Sequence, residues 1–317
     1  MPLAVDVDRT ACVALLQCVI VFMSSNASRI RISPSLLALA FVLSVLGIVV
    51  TFRAWNNMYR IANENPEYQH ALLVPFVAMV LIWVRRHRLQ HCRVTTTVLG
   101  PLLVVAGWAS MLYGSSQRND LAFHIGAVVV LVGCVTAALG KQVLFRFFPV
   151  AVVLLMMVPL PGRWRSPLAH TLQEYTANIS SYVLDLLGIK TQVMGSMMMI
   201  NNQPVLIAEA CNGMRMVLPL MMIAFGFAFA MPLRTSVRLL IVLISPLVAL
   251  VCNVARVVPL VWLQGQSQTS RDWGTRLHDY SGWVMVPLAF FVLLGLIRVL
   301  KWSTMRIWRY PLASQSA

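Results

Sequence analysis

Nine apolar runs, separated by short polar segments, are the feature that most constrains how this 317-residue chain can fold. An α-helix needs about 20 predominantly apolar residues to cross a bilayer. Only 11% of the residues are charged, which leaves too little polar surface to coat a water-soluble protein of this size. The pattern therefore predicts an all-α polytopic integral membrane protein, a bundle of about eight or nine transmembrane helices. The runs lie at about 12–23, 34–52, 70–84, 98–113, 121–139, 143–160, 212–231, 238–263 and 283–300.

The first run is short, so its length leaves open whether it spans or lies at the interface. We divide the chain into an N-terminal segment (1–33), a transmembrane domain (34–310) and a cytoplasmic tail (311–317). The six cysteines show neither the pattern of a disulfide framework nor metal-ligand spacing. We therefore expect no metal and no cofactor.

Basic residues predict the orientation, because the cytoplasmic loops of membrane proteins collect Lys and Arg. The densest cluster lies at 85–93, so this loop is placed in the cytoplasm. Alternation then places 53–69, 114–120, 161–211 and 264–282 outside and the C-terminus inside. The same rule accounts for the net charge of +15. Nucleic-acid binding is the alternative, and the position of the basic residues in short loops between apolar runs disfavours it.

The longest connection between apolar runs, 161–211, carries its own pattern. Ser166 followed by Pro167 is typical of a helix start, and Gly188 of a helix end. An apolar stripe between them predicts an amphipathic helix on the outer interface. Residues 190–209 then predict a β-hairpin of two short strands that turns near 201–204. The stripe consists of Leu168, Leu172, Tyr175, Ile179, Val183 and Leu186.

Cys211 stands at the predicted outer N-terminal end of a membrane helix. The partial positive charge at a helix N-terminus stabilises a thiolate, the nucleophilic form of cysteine. The backbone N–H groups of Asn212 and Gly213 could bind an oxyanion, and Glu209 precedes them. Taken alone, a cysteine in such a place is most often a small structural hydrophobe.

Arg256 and His278 fall at the same predicted face of the membrane. Arg256 lies in an apolar run with no acidic residue nearby in sequence, and Asn253 is one helical turn earlier. An arginine there is functional or paired by default, and snorkelling to the headgroups is the alternative. His278, followed by Asp279, opens the last apolar run, where a solvated loop histidine is the alternative.

Three helices thus bring a thiol, a guanidinium and an imidazole to one predicted face. This combination is suited to thiol acyl transfer. Cys211 would be the nucleophile and His278 the general acid and base. Arg256 would stabilise the oxyanion or bind a substrate carboxylate.

Several sequence blocks resemble the signatures of the exosortases, which are relatives of the archaeosortases. The blocks occur in family order and the resemblance covers roughly 50–300. They are Glu209-Ala210-Cys211-Asn212-Gly213, Asn253-x-x-Arg256, His278-Asp279-x-Ser281-Gly282-Trp283, the stretch 65–75 and the stretch 157–161. The form of 210–215 resembles that of the exosortase U type. Ala71 replaces the family's Gly after the early His, and Asn212 replaces a Ser found in many members.

The resemblance implies a membrane-embedded cysteine protease or transpeptidase, located in the cytoplasmic (inner) membrane with its site facing the exterior. Its implied partners are exported membrane-anchored proteins with a C-terminal sorting signal. That signal comprises a motif such as Pro-Glu-Pro, a transmembrane helix and a basic tail. Such systems usually accompany exopolysaccharide production. The match places the nucleophile at Cys211 and its partners at Arg256 and His278. His70 falls in the early block, where it would either help bind substrate or serve an interfacial structural role.

Two other classes of function compete with this interpretation. A transporter or channel would use Arg256 as an intramembrane substrate site. Against it, the chain shows no clear internal repeat, and the polar residues of its membrane helices cluster at one predicted face. The other alternative is a non-enzymatic scaffold for envelope polysaccharide assembly.

Overall fold

The computed structural model describes residues 33–92, 97–195, 197–200, 203–206, 214–264, 285, 287–295 and 297–299, and this part of the chain is helical apart from one small sheet. Two 3₁₀ helices, Pro66–Leu73 and Arg86–His91, flank α3. The α-helices are α1 (Pro34–Val50), α2 (Phe52–Glu64), α3 (Val74–Arg85), α4 (Leu99–Ser116), α5 (Asp120–Leu139), α6 (Lys141–Arg146), α7 (Phe148–Leu155), α8 (Gly162–Leu186), α9 (Met214–Ala230), α10 (Thr235–Gln264) and α11 (Pro287–Val299).

Four helical stretches in the described residues are long and apolar enough to cross a membrane, and the bent pair α1–α2, with 72° between its halves, would make a fifth. Two shorter apolar helices, α9 and α11, accompany them. These features confirm the predicted all-α polytopic class. The predicted run 143–160 does not form one long helix, because it breaks at Phe147 into α6 and α7. The four stretches are Pro66–Leu89, Leu99–Ser116, Asp120–Leu139 and Thr235–Leu263.

Glycines allow α4 and α5 to pack backbone against backbone. A Cβ atom added to Gly107 would lie 2.7 Å from the backbone oxygen of Gly126, and one added to Gly126 would lie 2.5 Å from that of Gly107. Such distances are too short for any larger residue, so this crossing depends on both glycines. The Asn119 side chain caps α5 by accepting a hydrogen bond from the backbone N–H of Ala122.

The longest described helix, α10, has 30 residues and spans about 45 Å at 1.5 Å per residue. Pro246 and Pro259 lie inside it and each deprives a carbonyl one turn earlier of its usual N–H donor. The carbonyl of Val242 is compensated, because the Ser245 hydroxyl donates to it at 2.8 Å. The helix can therefore continue through Pro246 at membrane depth.

Residues 191–206 form a three-stranded antiparallel sheet, where the sequence predicts two strands. The strands are β1 (Thr191–Met194), β2 (Met197–Ile200) and β3 (Gln203–Leu206), in the order β1-β2-β3. β2 and β3 pair up to Ile200 and Gln203, close to the turn predicted at 201–204, and Gly195, between β1 and β2, adopts φ 62. Met198 and Ile200 are buried in one cluster with residues of α8 and α10, which attaches the sheet to these helices.

Segments predicted to lie inside contact each other at one end of the bundle. The Arg85 guanidinium donates to the backbone oxygens of Arg146 and Phe229, both at 2.8 Å. Arg146 donates to the carbonyl of Arg88, and Arg238 to that of Met231. The predicted grouping of these segments therefore agrees with the fold, and we call this end the basic end. Which side of the membrane it faces stays a prediction from charge.

Candidate functional site

The face that α8 buries is not its apolar stripe, and its charged residues Glu174 and Asp185 are exposed as well. The residues that it buries are mainly small or polar. Most of its apolar stripe points away from the rest of the described chain, with Tyr175 at 57% and Leu186 at 87% exposure. In a membrane, apolar side chains face lipid and polar ones find partners inside the protein. The predicted stripe is thus an outer surface, and the buried face consists of Gln173, Thr176, Ala177, Ser180 and Leu184.

The boundaries of α8 also differ from the prediction. The helix begins at Gly162 and contains Pro167, whereas Ser166 as N-cap and Pro167 as first helical residue predict a start five residues later. Its end agrees, since Gly188 adopts φ 81, the left-handed conformation typical of a helix C-terminus. The early start matters for the site because it includes Arg165 in the helix.

A hydrogen bond joins the polar face of α8 to α10. The Asn253 side chain donates from Nδ2 to the Thr176 hydroxyl at 3.2 Å, and both residues are fully buried. The Thr176 hydroxyl in turn donates to the backbone oxygen of Leu172 at 2.8 Å. Nearby, Ala177 and Leu184 share an apolar cluster with Val257 and Val261. This contact sets the register between α8 and α10.

Arg256 follows Asn253 by one turn on the same face of α10 and is 4% exposed. It lies about 12 Å from the Gln264 end of the helix and about 32 Å from the Thr235 end. Since Arg238 and the Thr235 end belong to the basic end, Arg256 lies toward the opposite end of the bundle. A guanidinium buried at this depth is expensive and marks a functional site by default.

The early sequence block forms the 3₁₀ helix Pro66–Leu73, which is tied to the start of α8. Glu67 forms an ion pair with Arg165, whose guanidinium also lies 6.0 Å from the centroid of the Tyr68 ring. The Tyr68 hydroxyl donates to the backbone oxygen of Leu160 at 2.7 Å. These contacts fix the entry of α8 against the element that carries His70.

His70 is 7% exposed, and its Nδ1 lies 3.1 Å from the backbone oxygen of Glu67. Because a carbonyl oxygen only accepts, Nδ1 carries the proton in this contact. The structure thus gives His70 a contact within its own turn, and both of its predicted roles stay predictions.

A cleft of about 610 Å³ lies next to this block. It is lined by segments that the topology predicts on the outer side, so these segments group together as the basic segments do. Arg118, one of its lining residues, adopts φ 51, an uncommon conformation for a residue other than glycine. Other residues that line the cleft include Tyr68, Tyr113, Asp120, Leu160 and Arg163.

Of the predicted site residues, the described chain contains Asn253, Arg256 and His70. It brings Asn253 and Arg256 together on α10 and places His70 on a separate element. Cys211, His278, Glu209, Asn212, Gly213 and Asp279 lie outside the described residues. In sequence, Cys211 is three residues before Met214, where α9 begins. Within the described residues, no group of three His, Cys, Asp or Glu side chains could hold a metal ion.

The sequence interpretation missed residues that the structure places beside the predicted ones. On α8, Gln173, Thr176 and Ser180 recur at spacings of three and four opposite the apolar stripe, a signal that was available. Arg215, in the first turn of α9, was also missed. Its Nε is buried and makes no hydrogen bond within the described part of the chain. An arginine in an apolar run, four residues after Cys211, could have been recognised by the argument used for Arg256.

Comparison with known proteins gives one informative result. A family model described as transmembrane exosortase matches residues 55–295. This range includes every predicted site residue. No curated protein and no solved structure matches the chain.

Proposed function

The chain belongs to the transmembrane exosortase family, and we propose that it is a membrane-embedded cysteine peptidase or transpeptidase. It would cleave C-terminal sorting signals on exported proteins at the outer face of the cytoplasmic membrane. The signal comprises a short motif, a transmembrane helix and a basic tail. We place the activity in envelope and exopolysaccharide biogenesis.

In the proposed reaction, the Cys211 thiolate attacks a backbone carbonyl carbon of the substrate and its proton passes to His278. The carbonyl oxygen becomes an oxyanion, which Arg256 stabilises unless it instead binds a substrate carboxylate. The C–N bond then breaks. The C-terminal fragment leaves as an amine that takes the proton from His278, while the remainder stays bound to Cys211 as a thioester. Water or an acceptor amine finally attacks the thioester and releases the thiol.

The observation that carries the proposal is the burial of Arg256 beside Asn253 near one end of α10. The guanidinium is 4% exposed and lies on a predominantly apolar helix. In surroundings of low dielectric constant, a fixed positive charge interacts with a developing oxyanion far more strongly than in water. A buried positive charge away from the basic end is therefore suited to acyl transfer near the opposite membrane face.

Charge also supports the proposed placement of the substrate. An acidic signal motif near the outer face would be attracted by Arg256, and by Arg271 and Arg276, which precede His278 in sequence. The basic tail of the substrate would remain in the cytoplasm by the same rule that orients the enzyme.

The test is processing of a reporter protein whose C-terminus carries Pro-Glu-Pro, an apolar helix and a basic tail. We expect Cys211→Ala to abolish cleavage, measured as loss of the shortened product on a gel. Cys252→Ala is the matched control, because Cys252 is a buried cysteine packed among α9, α10 and α11. Cleavage by Cys211→Ala at the wild-type rate would end the proposal. Loss of cleavage in both variants would show only a folding defect, which thermal unfolding of the purified proteins detects.

A further inference from the structure

The hydrogen bonds of Thr176 determine which way the Asn253 side chain is turned. A hydroxyl carries one hydrogen, and the Thr176 hydroxyl donates it to the backbone oxygen of Leu172 at 2.8 Å. In its contact with Asn253 at 3.2 Å, the Thr176 oxygen can therefore only accept. Asn253 must then turn its Nδ2 toward α8 and its Oδ1 away from Thr176.

Packing alone would not select this orientation. The two ends of an asparagine amide have nearly the same shape, so apolar neighbours fit either orientation equally well. Thr176 and Asn253 are both 0% exposed, so exchange with bulk water does not compete with the bond. Reversing the amide would either place the Asn253 carbonyl oxygen against a lone pair of Thr176, which is repulsive, or require the hydroxyl to give up its bond to Leu172. The hydroxyl of Thr176 thus sets the orientation.

We propose that Thr176 is a positioning residue for the reaction centre. Through Nδ2 it fixes Asn253 so that Oδ1 is presented as an acceptor on the α10 face that also carries Arg256. An acceptor held there orients an N–H donor, either the guanidinium or an imidazole, at the angle that the transition state requires. The proposal rests on the function proposed above, because Asn253 and Arg256 belong to the site assigned there.

The structure offers a close control for this residue. Thr136 is a threonine of α5 that is 1% exposed, and its hydroxyl donates to the backbone oxygen of Val132 at 2.7 Å. Thr136→Val therefore removes the same kind of buried intrahelical bond as Thr176→Val. Thr136 differs from Thr176 in lying on α5, a helix that carries none of the predicted site residues.

The experiment measures steady-state processing of the same reporter by full-length protein in proteoliposomes. We expect Thr176→Val to lower kcat by about tenfold to hundredfold, because it removes the acceptor that holds the Asn253 amide through Nδ2. KM should stay within about twofold of the wild-type value, since uniform substrate binding is untouched. Thr176→Ser restores the hydroxyl and should recover most of kcat, and Thr136→Val should leave kcat near wild type.

A double variant tests whether Thr176 acts through Asn253. In an Asn253→Ala background, Thr176→Val should cause little further loss of kcat. The proposal is overturned if Thr176→Val retains the wild-type kcat, or if it lowers kcat equally in the presence and absence of Asn253. If Thr176→Val does not accumulate in membranes, Thr176→Ala replaces it, because it also lacks the hydroxyl and tests the same effect on kcat. Failure of the proposed function is a separate result, namely cleavage by Cys211→Ala.

Discussion

Replacement of Arg85 tests whether the basic end of the bundle depends on the directed hydrogen bonds of this guanidinium as well as on its charge. Arg85 is 5% exposed and lies at the end of α3. Its guanidinium donates to the carbonyl of Phe229 from Nε at 3.3 Å and from Nη2 at 2.8 Å, and to the carbonyl of Arg146 at 2.8 Å. Both carbonyls belong to the last turns of their helices, where no intrahelical N–H is available. One side chain therefore caps α6 and α9 and joins them to α3.

The magnitude follows from the two carbonyls that a substitution leaves without their donor. Each unsatisfied buried polar group costs about 1–3 kcal/mol. Arg85→Met should therefore destabilise the protein by about 2–4 kcal/mol, if water reaches one of the carbonyls and offsets part of the loss. For a chain of this length, that corresponds to a decrease in Tm of about 3–6 °C.

The assay is thermal unfolding in detergent followed by tryptophan fluorescence, with two further variants. Arg85→Lys keeps the positive charge but loses the planar fork that reaches both carbonyls, so it should recover less than half of the Tm loss. Arg86→Met removes an exposed arginine whose guanidinium lies 4.9 Å from the centroid of the Trp83 ring, and should shift Tm by about 1 °C or less. If Arg85→Lys unfolded at the wild-type temperature, charge alone would suffice and the capping argument would be refuted.

Two further predictions concern the membrane orientation and the anchoring of α8. The Cys92 thiol should resist an impermeant thiol reagent from either side, because its side chain is 1% exposed and burial raises its pKa. The variant His87→Cys, at an exposed position, should react with the reagent only in inverted vesicles. Its reaction in intact cells would reverse the predicted orientation. The side chains of Glu67 and Arg165 form an ion pair and are 10% and 27% exposed. The single variants Glu67→Arg and Arg165→Glu should each lower stability by about 1–2 kcal/mol, and the double variant, which exchanges the two charges, should recover part of this loss. Thermal unfolding that showed purely additive losses would contradict a direct pairing.

The features that the sequence predicts best are those set by a single strong physical constraint. The cost of burying charge in a bilayer makes apolar runs conspicuous, so the membrane class and most of the helices could be predicted. The same constraint singles out Arg256, which the structure buries. Element boundaries follow weaker preferences. Ser166 and Pro167 are good start signals, yet the helix begins at Gly162, because Pro167 is tolerated inside a helix whose first turn is held by the contacts of Arg165.

Residues whose roles depend on a partner far away in sequence could not be predicted from a local pattern. Arg85 is indistinguishable in sequence from its neighbours Arg86 and Arg88, and only the arrival of α6 and α9 makes it a cap. Thr176 and Asn253 are likewise 77 positions apart, and nothing local to either predicts their contact. Charge and hydropathy indicate what a residue requires, but the tertiary fold decides which partner supplies it.

The polarity of α8 shows why a helix in a membrane protein must be interpreted with its solvent in mind. In water, an apolar stripe indicates the face that packs on the protein, and the polar face is exposed. Beside lipid, the stripe faces outward and the polar face is the one that needs protein partners. Leu186, at 87% exposure, and Thr176, at 0%, satisfy the second rule and violate the first. The uncharged polar residues Gln173, Thr176 and Ser180 are the ones that α8 turns to the interior, and Thr176 contacts the helix that carries Arg256.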